Sequence, residues 1–336
     1  MRPVSNPPNP WLSTHVEWLD EPPPAELHVY EEEARSALSE NDSPDIPFRF
    51  GVNPYRGCQH ACAYCYARPS HQYLGFGAGT DFERRIVVKT NVHERLAEEL
   101  GRRSWRRETV TFSGNTDCYQ PLEASYELTR RCLEVCLARA TPVSVITKSA
   151  LVRRDVELLA RLARGPGASV CLSIPFLDEE SGRRLEPGAA SPRRRLETLR
   201  VLSAAGIDTG VAIAPIVPGL NDSDVPAILE AAHAAGARAA FLALLRLPAE
   251  VLLVFRERLA LAFPERARKV ENALREMKQG RWNRSEFGLR MRGSGPRWEA
   301  LERLFEIQCL RLGFHRRAPG DSARGTGPRQ QELFPA

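Results

Sequence analysis

The sequence predicts an α/β protein: a partial, open (βα)6 TIM-like barrel with a C-terminal helical extension. Three observations predict it. Short apolar runs alternate with amphipathic stretches between residues 46 and 246. The amphipathic stretches end at glycine or just before proline, where helices stop. Beyond residue 246 the alternation ceases and helical periodicity alone remains. Strand–helix alternation builds a parallel sheet joined by crossovers and buried on both faces. Six units fall short of the eight that close a full barrel, so the sheet is expected to stay open.

The elements follow in order. PFRFGVN (47–53) reads as the first strand. RIVVKTN (85–91) is a short apolar run, and a helix follows from Asn91 with Val92, Leu96 and Leu100 on one face. The remaining strand candidates are VTFSG (110–114), VSVIT (143–147), SVCLSI (169–174), GVAIAP (210–215) and AAFLALL (239–245). Helical patterns lie near 126–139, 153–163, 193–205 and 222–235, with stops at Arg139 before Thr141-Pro142, at Gly206 and at Gly236. After them come two helices over 247–263 and 265–280, a basic glycine-broken loop and a last helix. The chain therefore divides into an acidic Pro-rich arm (1–45), a barrel (46–246), a basic helical extension (247–316) and a tail (317–336) expected to be disordered.

Composition narrows the class. A hydrophobic content of 43% in 336 residues supports a real core. There is no run of about 18 apolar residues, so no membrane span is expected. The first residues lack the apolar centre of a secretory signal. Eight cysteines without a disulfide-like framework fit a reducing cytoplasm. The net charge of +5 is unevenly spread. Residues 1–46 hold ten acidic and two basic side chains, whereas residues 256–329 hold eighteen basic and nine acidic. A basic C-terminal third suits a nucleic-acid substrate, and a solvated surface equally accounts for it. The arm holds eight prolines and the acidic run Glu31, Glu32, Glu33, so it reads as mostly disordered. Trp11, Trp18 and Tyr30 are its docking points, and folding over a basic cleft would make it an autoinhibitory device.

Chemistry concentrates in GVNPYRGCQHACAYCY (51–66). Cys58, Cys62 and Cys65 lie within eight residues in the pattern C-x3-C-x2-C. Thiols this dense are usually metal ligands, and three of them leave one position of a four-coordinate site open. A zinc site completed by His60 or His71, in a non-enzymatic metal-binding module, is the alternative that the residues alone leave standing.

With Tyr64 before Cys65, the motif resembles the C-x3-C-x-aromatic-C fingerprint of the radical S-adenosylmethionine (radical SAM) superfamily. NPYRGC and YCYARPSHQYLG resemble its spore photoproduct lyase-like, DNA repair photolyase-like branch. The resemblance implies a 4Fe–4S cluster on Cys58, Cys62 and Cys65, with S-adenosylmethionine on the remaining iron. It implies reductive cleavage to a 5′-deoxyadenosyl radical, with electrons from an external low-potential donor. It also implies a lyase-type repair of nucleic acid. Modification of a protein, RNA or small molecule is the competing radical reaction.

Active sites in such folds lie at the C-terminal ends of the strands. The resemblance implies adenine contacts at Tyr64 and Tyr66. SGNTD (113–117) stands where the family binds the cofactor's ammonium, with Asn115, Thr116 and Asp117 replacing its usual Gly-Glu pair. Lys148 ends VSVIT, and a lysine there needs an anion, implied to be the cofactor carboxylate. Ser173 shares a strand face with Ser169 and Cys171, which leaves room for a ligand ribose or carboxylate. APIVPGLND (214–222) resembles the family segment over the adenine, with Asn221 and Asp222 expected to cap the next helix. Cys132, Cys136 and Cys309 read as core, Cys171 as barrel lining, and Cys118 as a radical relay beside Asp117. Trp282 and Phe287, near RMRGSG, either stack on bases or pack against the open side of the barrel.

Overall fold

The protein is described from a computed structural model covering residues 9–11, 26–46 and 48–315. The described residues form ten strands: β1 (His28–Glu32), β2 (Leu38–Glu40), β3 (Phe50–Val52), β4 (Tyr55–Arg56), β5 (Arg85–Lys89), β6 (Val110–Phe112), β7 (Val143–Thr147), β8 (Ala168–Ser173), β9 (Asp208–Ile216) and β10 (Ala239–Leu244). Six of them, β3 and β6 to β10, run parallel in the order β10-β9-β8-β7-β6-β3, and β2 adds antiparallel to β3 at one edge. The two edge strands do not pair, so the sheet is open as expected.

The helices are α1 (Thr80–Arg84), α2 (Val92–Leu100), α3 (Glu123–Tyr126), α4 (Leu128–Ala138), α5 (Val156–Arg164), α6 (Glu179–Leu185), α7 (Pro192–Ala204) and α8 (Val225–Ala234), then α9 (Val251–Ala262), α10 (Pro264–Met277) and α11 (Pro296–Leu312). The spacing of apolar residues decides which face each buries. Val92, Leu96 and Leu100 are the buried face of α2. Leu128, Cys132, Leu133 and Cys136 are that of α4, so both its cysteines are core residues. Central strands such as β6 are buried at every position, which is why they read as continuous apolar runs. The extension is not a separate body. Trp298, Leu301, Phe305 and Cys309 of α11 belong to the same hydrophobic cluster as the barrel strands.

One expectation is corrected. The arm is not mostly unstructured where it is described. β1 pairs in parallel with β5 and β2 pairs with β3, in spite of the exposed side chains of β1. Backbone pairing to an apolar partner edge, with Tyr30 against Phe76 at 5.4 Å, supplies what a hydrophobic pattern does not. Trp11 meets Tyr73 at 5.7 Å, while Trp18 and the tail lie outside the described residues. The apolar run RIVVKTN supplies β5, the middle strand of a second, three-stranded sheet, β1-β5-β4, beside the barrel.

Candidate functional site

The loop that carries Cys58, Cys62 and Cys65 runs from β4 toward α1 and is stapled through its backbone. The Cys58 amide donates to Phe82 O at 2.8 Å, and the Ala63 amide to Leu185 O at 2.8 Å. Gln59 and Gln120 exchange hydrogen bonds with the loop backbone: Gln59 N to Gln120 Oε1 at 3.0 Å, and Gln120 Nε2 to Gly57 O at 3.2 Å. Gly57 sits at φ +79°, and a Cβ there would lie 2.8 Å from Phe82 O, so only glycine fits. Arg68, fully buried, donates to Cys62 O at 2.7 Å, to Ala78 O at 3.0 Å and to Gly79 O at 2.9 Å, and it pairs with Glu83. Glu83 also pairs with Arg258 of α9, whose Nη1 donates to Ala61 O at 2.5 Å.

The three thiols are free and close enough to feel one another. Burial, then Asp117 and Cys65, push the Cys58 thiol up to about 12. Burial and neighbouring carboxylate charge raise Cys62 as well, while Lys148 favours its thiolate. Arg68 and Lys148 favour the thiolate of Cys65 against its burial. Three soft sulfur donors beside fixed cations suit a polynuclear iron–sulfur group, which needs thiolates. Among the described residues, no group of three His, Cys, Asp or Glu side chains stands ready to hold a single metal ion. His60 lies 3.2 Å from Asp117, and His71 Nε2 is 2.8 Å from Arg85 O, so both candidate zinc ligands have other partners.

The strand ends bring Lys148 and Ser173 together. Lys148 Nζ donates to Ser173 Oγ at 2.5 Å and lies 3.5 Å from Glu186 and 5.8 Å from the Tyr64 ring centre. Burial lowers the Lys148 pKa, and the nearby Cys62 opposes that. Glu186 also bonds Tyr64 Oη and pairs with Arg195 at 2.5 Å, and Arg195 Nη1 donates to Ser173 O at 2.7 Å. Ser169 and Cys171 are half-buried while their neighbours Val170 and Leu172 are buried, the alternation of a strand with two unlike faces, and Ser173 at its end is buried.

Segment 113–117 is differently built from its reading. Asp117 Oδ1 accepts from Thr147 Oγ1 at 2.7 Å and Tyr119 N at 2.9 Å, and its Oδ2 accepts from Lys148 N at 2.8 Å and faces His60. Burial would raise this carboxyl, but His60 and these donors outweigh it and hold it at about 2. Asp117 thus ties β7 to the cysteine loop with its own acceptor sites filled. Thr116 turns its hydroxyl to Tyr55 O at 3.0 Å, and Asn115 Nδ2 donates to Ser70 Oγ at 3.1 Å. Asn53 Oδ1 collects the amides of Gly114, Asn115 and Thr116 at 3.2, 3.0 and 3.3 Å. Tyr66 is half-exposed and donates its hydroxyl to Gly114 O.

Neither Asn221 nor Asp222 caps α8. Asn221 is fully buried and donates to Pro175 O at 2.7 Å and Pro215 O at 3.0 Å, so it ties two strand ends together. Asp222 accepts from Gly219 N at 2.8 Å and pairs with Arg297 at 3.0 Å. Cys118 is fully buried in the core cluster, and its amide donates to Ser113 Oγ at 2.9 Å.

Sequence reasoning missed Asn53, Glu186, Arg195 and Arg258. Each acts through a partner distant in the chain, so no local spacing marks it.

The sequence profile of the radical SAM superfamily matches residues 52–232, more than half the chain. This chain belongs to the radical SAM superfamily. Family membership implies a 4Fe–4S cluster, S-adenosylmethionine and an external reductant. An uncharacterised protein of Mycobacterium tuberculosis (strain ATCC 25618 / H37Rv) is 46% identical over 190 residues, 56% of each chain. An uncharacterised protein of Methanocaldococcus jannaschii is 32% identical over 174 residues, 52% of this chain and 62% of that one. The matched region thus spans little more than half the length of these relatives. Among solved structures, spore photoproduct lyase complexed with dinucleoside spore photoproduct superposes with a TM-score of 0.60 at 15% identity, over 85% of this chain and 80% of that one. At that identity the likeness is one of fold. No helix among the described residues of this radical SAM chain is long and apolar enough to cross a membrane.

Proposed function

We propose that this radical SAM chain binds its cluster through Cys58, Cys62 and Cys65 and cleaves S-adenosylmethionine reductively to act on nucleic acid, in a lyase-type repair reaction. The observation that carries the reading is the meeting of three clustered thiols, two buried and one half-buried, with the Lys148–Ser173–Glu186 group at the strand ends. When bound, the cluster supplies the electron that splits S-adenosylmethionine into methionine and a 5′-deoxyadenosyl radical.

The chain's own residues divide the remaining work. Lys148 offers its ammonium to the cofactor carboxylate, and Ser173 offers a hydroxyl beside it. Glu186 and Arg195 hold that lysine and the Tyr64 ring in place. Asn115 and Thr116 shape the turn that faces the cofactor's amino group, and Tyr66 lies over the same opening for the adenine. Asp117 keeps its place in the site by orienting Lys148 and His60. Arg68, Arg258 and Glu83 hold the cysteine loop in shape and keep water from its rear. Nucleic acid is favoured by the basic extension and by one solved neighbour, spore photoproduct lyase, which is complexed with dinucleoside spore photoproduct.

Anaerobic reconstitution tests the cofactor part. The expected outcome is a brown protein with about four irons that releases 5′-deoxyadenosine from S-adenosylmethionine under strong reductant. Cys62→Ala should bind less iron and release none. A colourless protein that takes up one zinc instead would overturn the reading.

A further inference from the structure

The barrel mouth carries a second group of cations that the cofactor site does not use. Arg246 follows β10. Its Nε is buried and lacks a hydrogen-bond partner. Its guanidinium lies 5.9 Å from the ring centre of Tyr66, the half-exposed tyrosine that ends the cysteine motif. Arg290 is brought alongside by the loop after α10. The Leu244 amide donates to Met291 O at 2.9 Å, the Leu247 amide to Asn283 Oδ1 at 3.3 Å, and buried Lys278 donates to Arg290 O at 2.9 Å and Arg292 O at 3.2 Å. Arg290 stands over the exposed Phe287 ring at 4.8 Å and is paired by Asp45 at 2.5 Å.

Charge in this patch is unbalanced. Arg246, Lys278, Arg284 and Arg290 share it with two carboxylates, Asp45 and Glu286. Burial and then Arg290 disfavour the charge on Arg246. A half-buried guanidinium with an unmet donor is costly unless an anion meets it. The guanidinium fork matches a phosphate in two parallel hydrogen bonds, and the exposed ring of Phe287, under Arg290, offers a face on which a base stacks.

We propose that Arg246, with Arg290 beside it, binds a backbone phosphate of the substrate strand at the barrel mouth. The proposal rests on the nucleic-acid reading above and names the residues that would carry it. Asp45 is then a competitor for Arg290, holding the place of a phosphate in the free protein.

The test is fluorescence anisotropy of the full chain with a short fluorescein-labelled single-stranded thymidine oligonucleotide, over a series of salt concentrations. Arg246→Gln is expected to weaken binding about tenfold and to make the slope of log affinity against log salt shallower by about one. Arg246→Lys should keep the slope while recovering only part of the affinity, since charge is retained and the fork is lost. Asp45→Asn should tighten binding severalfold. These opposite signs separate a phosphate site from general loosening of the fold. Equal affinity and slope for wild type and Arg246→Gln would overturn the subsite. A wild-type chain that fails to bind the oligonucleotide at low salt overturns the subsite and the nucleic-acid reading together, while cofactor cleavage, measured without substrate, is judged separately.

Discussion

Arg68 and Arg258 behind the cysteine loop, and Arg246 and Arg290 at the barrel mouth, border the same motif and are bonded in different ways. Behind the loop, Arg68 is fully buried and spends its donors on the carbonyls of Cys62, Ala78 and Gly79 and on Glu83. Arg258 reaches the same carboxylate and Ala61 O. At the mouth, Arg246 keeps an unmet donor, and Arg290 is held by a carboxylate from the arm, far away in the chain. A saturated arginine fixes backbone, whereas an unsaturated one has free energy to give to a ligand. The same side chain therefore builds the frame on one side and recognises on the other.

The sharpest way to break this comparison is at Glu83. Its carboxylate is the shared counter-charge of two buried guanidinium groups. Removing it leaves both uncompensated, which for buried pairs costs about 3–5 kcal/mol. Glu83→Gln should therefore lower stability by that order in urea unfolding and reduce the iron retained after reconstitution. If it unfolds like wild type and loads fully, the rear cluster is not a lock. The corresponding change at the mouth, Arg246→Gln, should leave stability near wild type, since it removes an arginine whose buried Nε has no hydrogen-bond partner.

A second prediction concerns His71, packed behind Gly57 against Phe76 and Phe82 with ring centres 5.2 and 5.6 Å away. Burial lowers its pKa from 6.5 to about 4, against the opposing hydrogen bond to Arg85 O. Between these values the unfolded chain binds the proton and the native chain does not. Stability attached to His71 is thus present above pH 6.5 and lost as pH falls toward 4. About 3 kcal/mol is involved at most, taking 1.4 kcal/mol for each unit. Urea unfolding at a series of pH values should show this acid limb in wild type and not in His71→Gln. An identical limb in both would assign the loss to other groups.

The frame was more legible in the sequence than the recognition side. Six apolar runs announce the parallel strands because both faces of such a sheet are buried, and Lys148 and Ser173 follow from being at strand ends. β1 escaped because its pairing is by backbone and its side chains are exposed. Asp117 stands at a strand end as its position in the sequence suggests, but its internal partners, Thr147, Tyr119, Lys148 and His60, come from elsewhere in the fold and leave no local mark. Glu186 sits at the end of the arginine-rich α6 region, where local pattern says solvent. Arg246 and Arg258 were hidden by abundance: only four of the 47 basic residues are lysines, so an arginine carries little information until its partners are known.

Lys278 gives the smallest predicted effect and the most direct contrast of sign. It is buried below the mouth cluster, and burial, then Arg284 and Arg246, lower its pKa from 10.5 to about 8. Below pH 8 the lysine is charged in both states, and the native state bears the cost of burying that charge. Between pH 8 and 10.5 the unfolded chain holds the proton and the native chain releases it, so stability attached to Lys278 rises with pH. The gain is below about 3 kcal/mol, taking 1.4 kcal/mol for each unit, because the carbonyls of Arg290 and Arg292 favour the ammonium. Wild type should therefore gain stability across this window relative to Lys278→Met, measured by urea unfolding at paired pH values. At the rear of the loop the arginines have a shared carboxylate and no such gain is expected. If Lys278→Met and wild type keep a constant difference from pH 8 to 10.5, the mouth cluster is not electrostatically strained, and the contrast between the two arginine groups reduces to geometry alone.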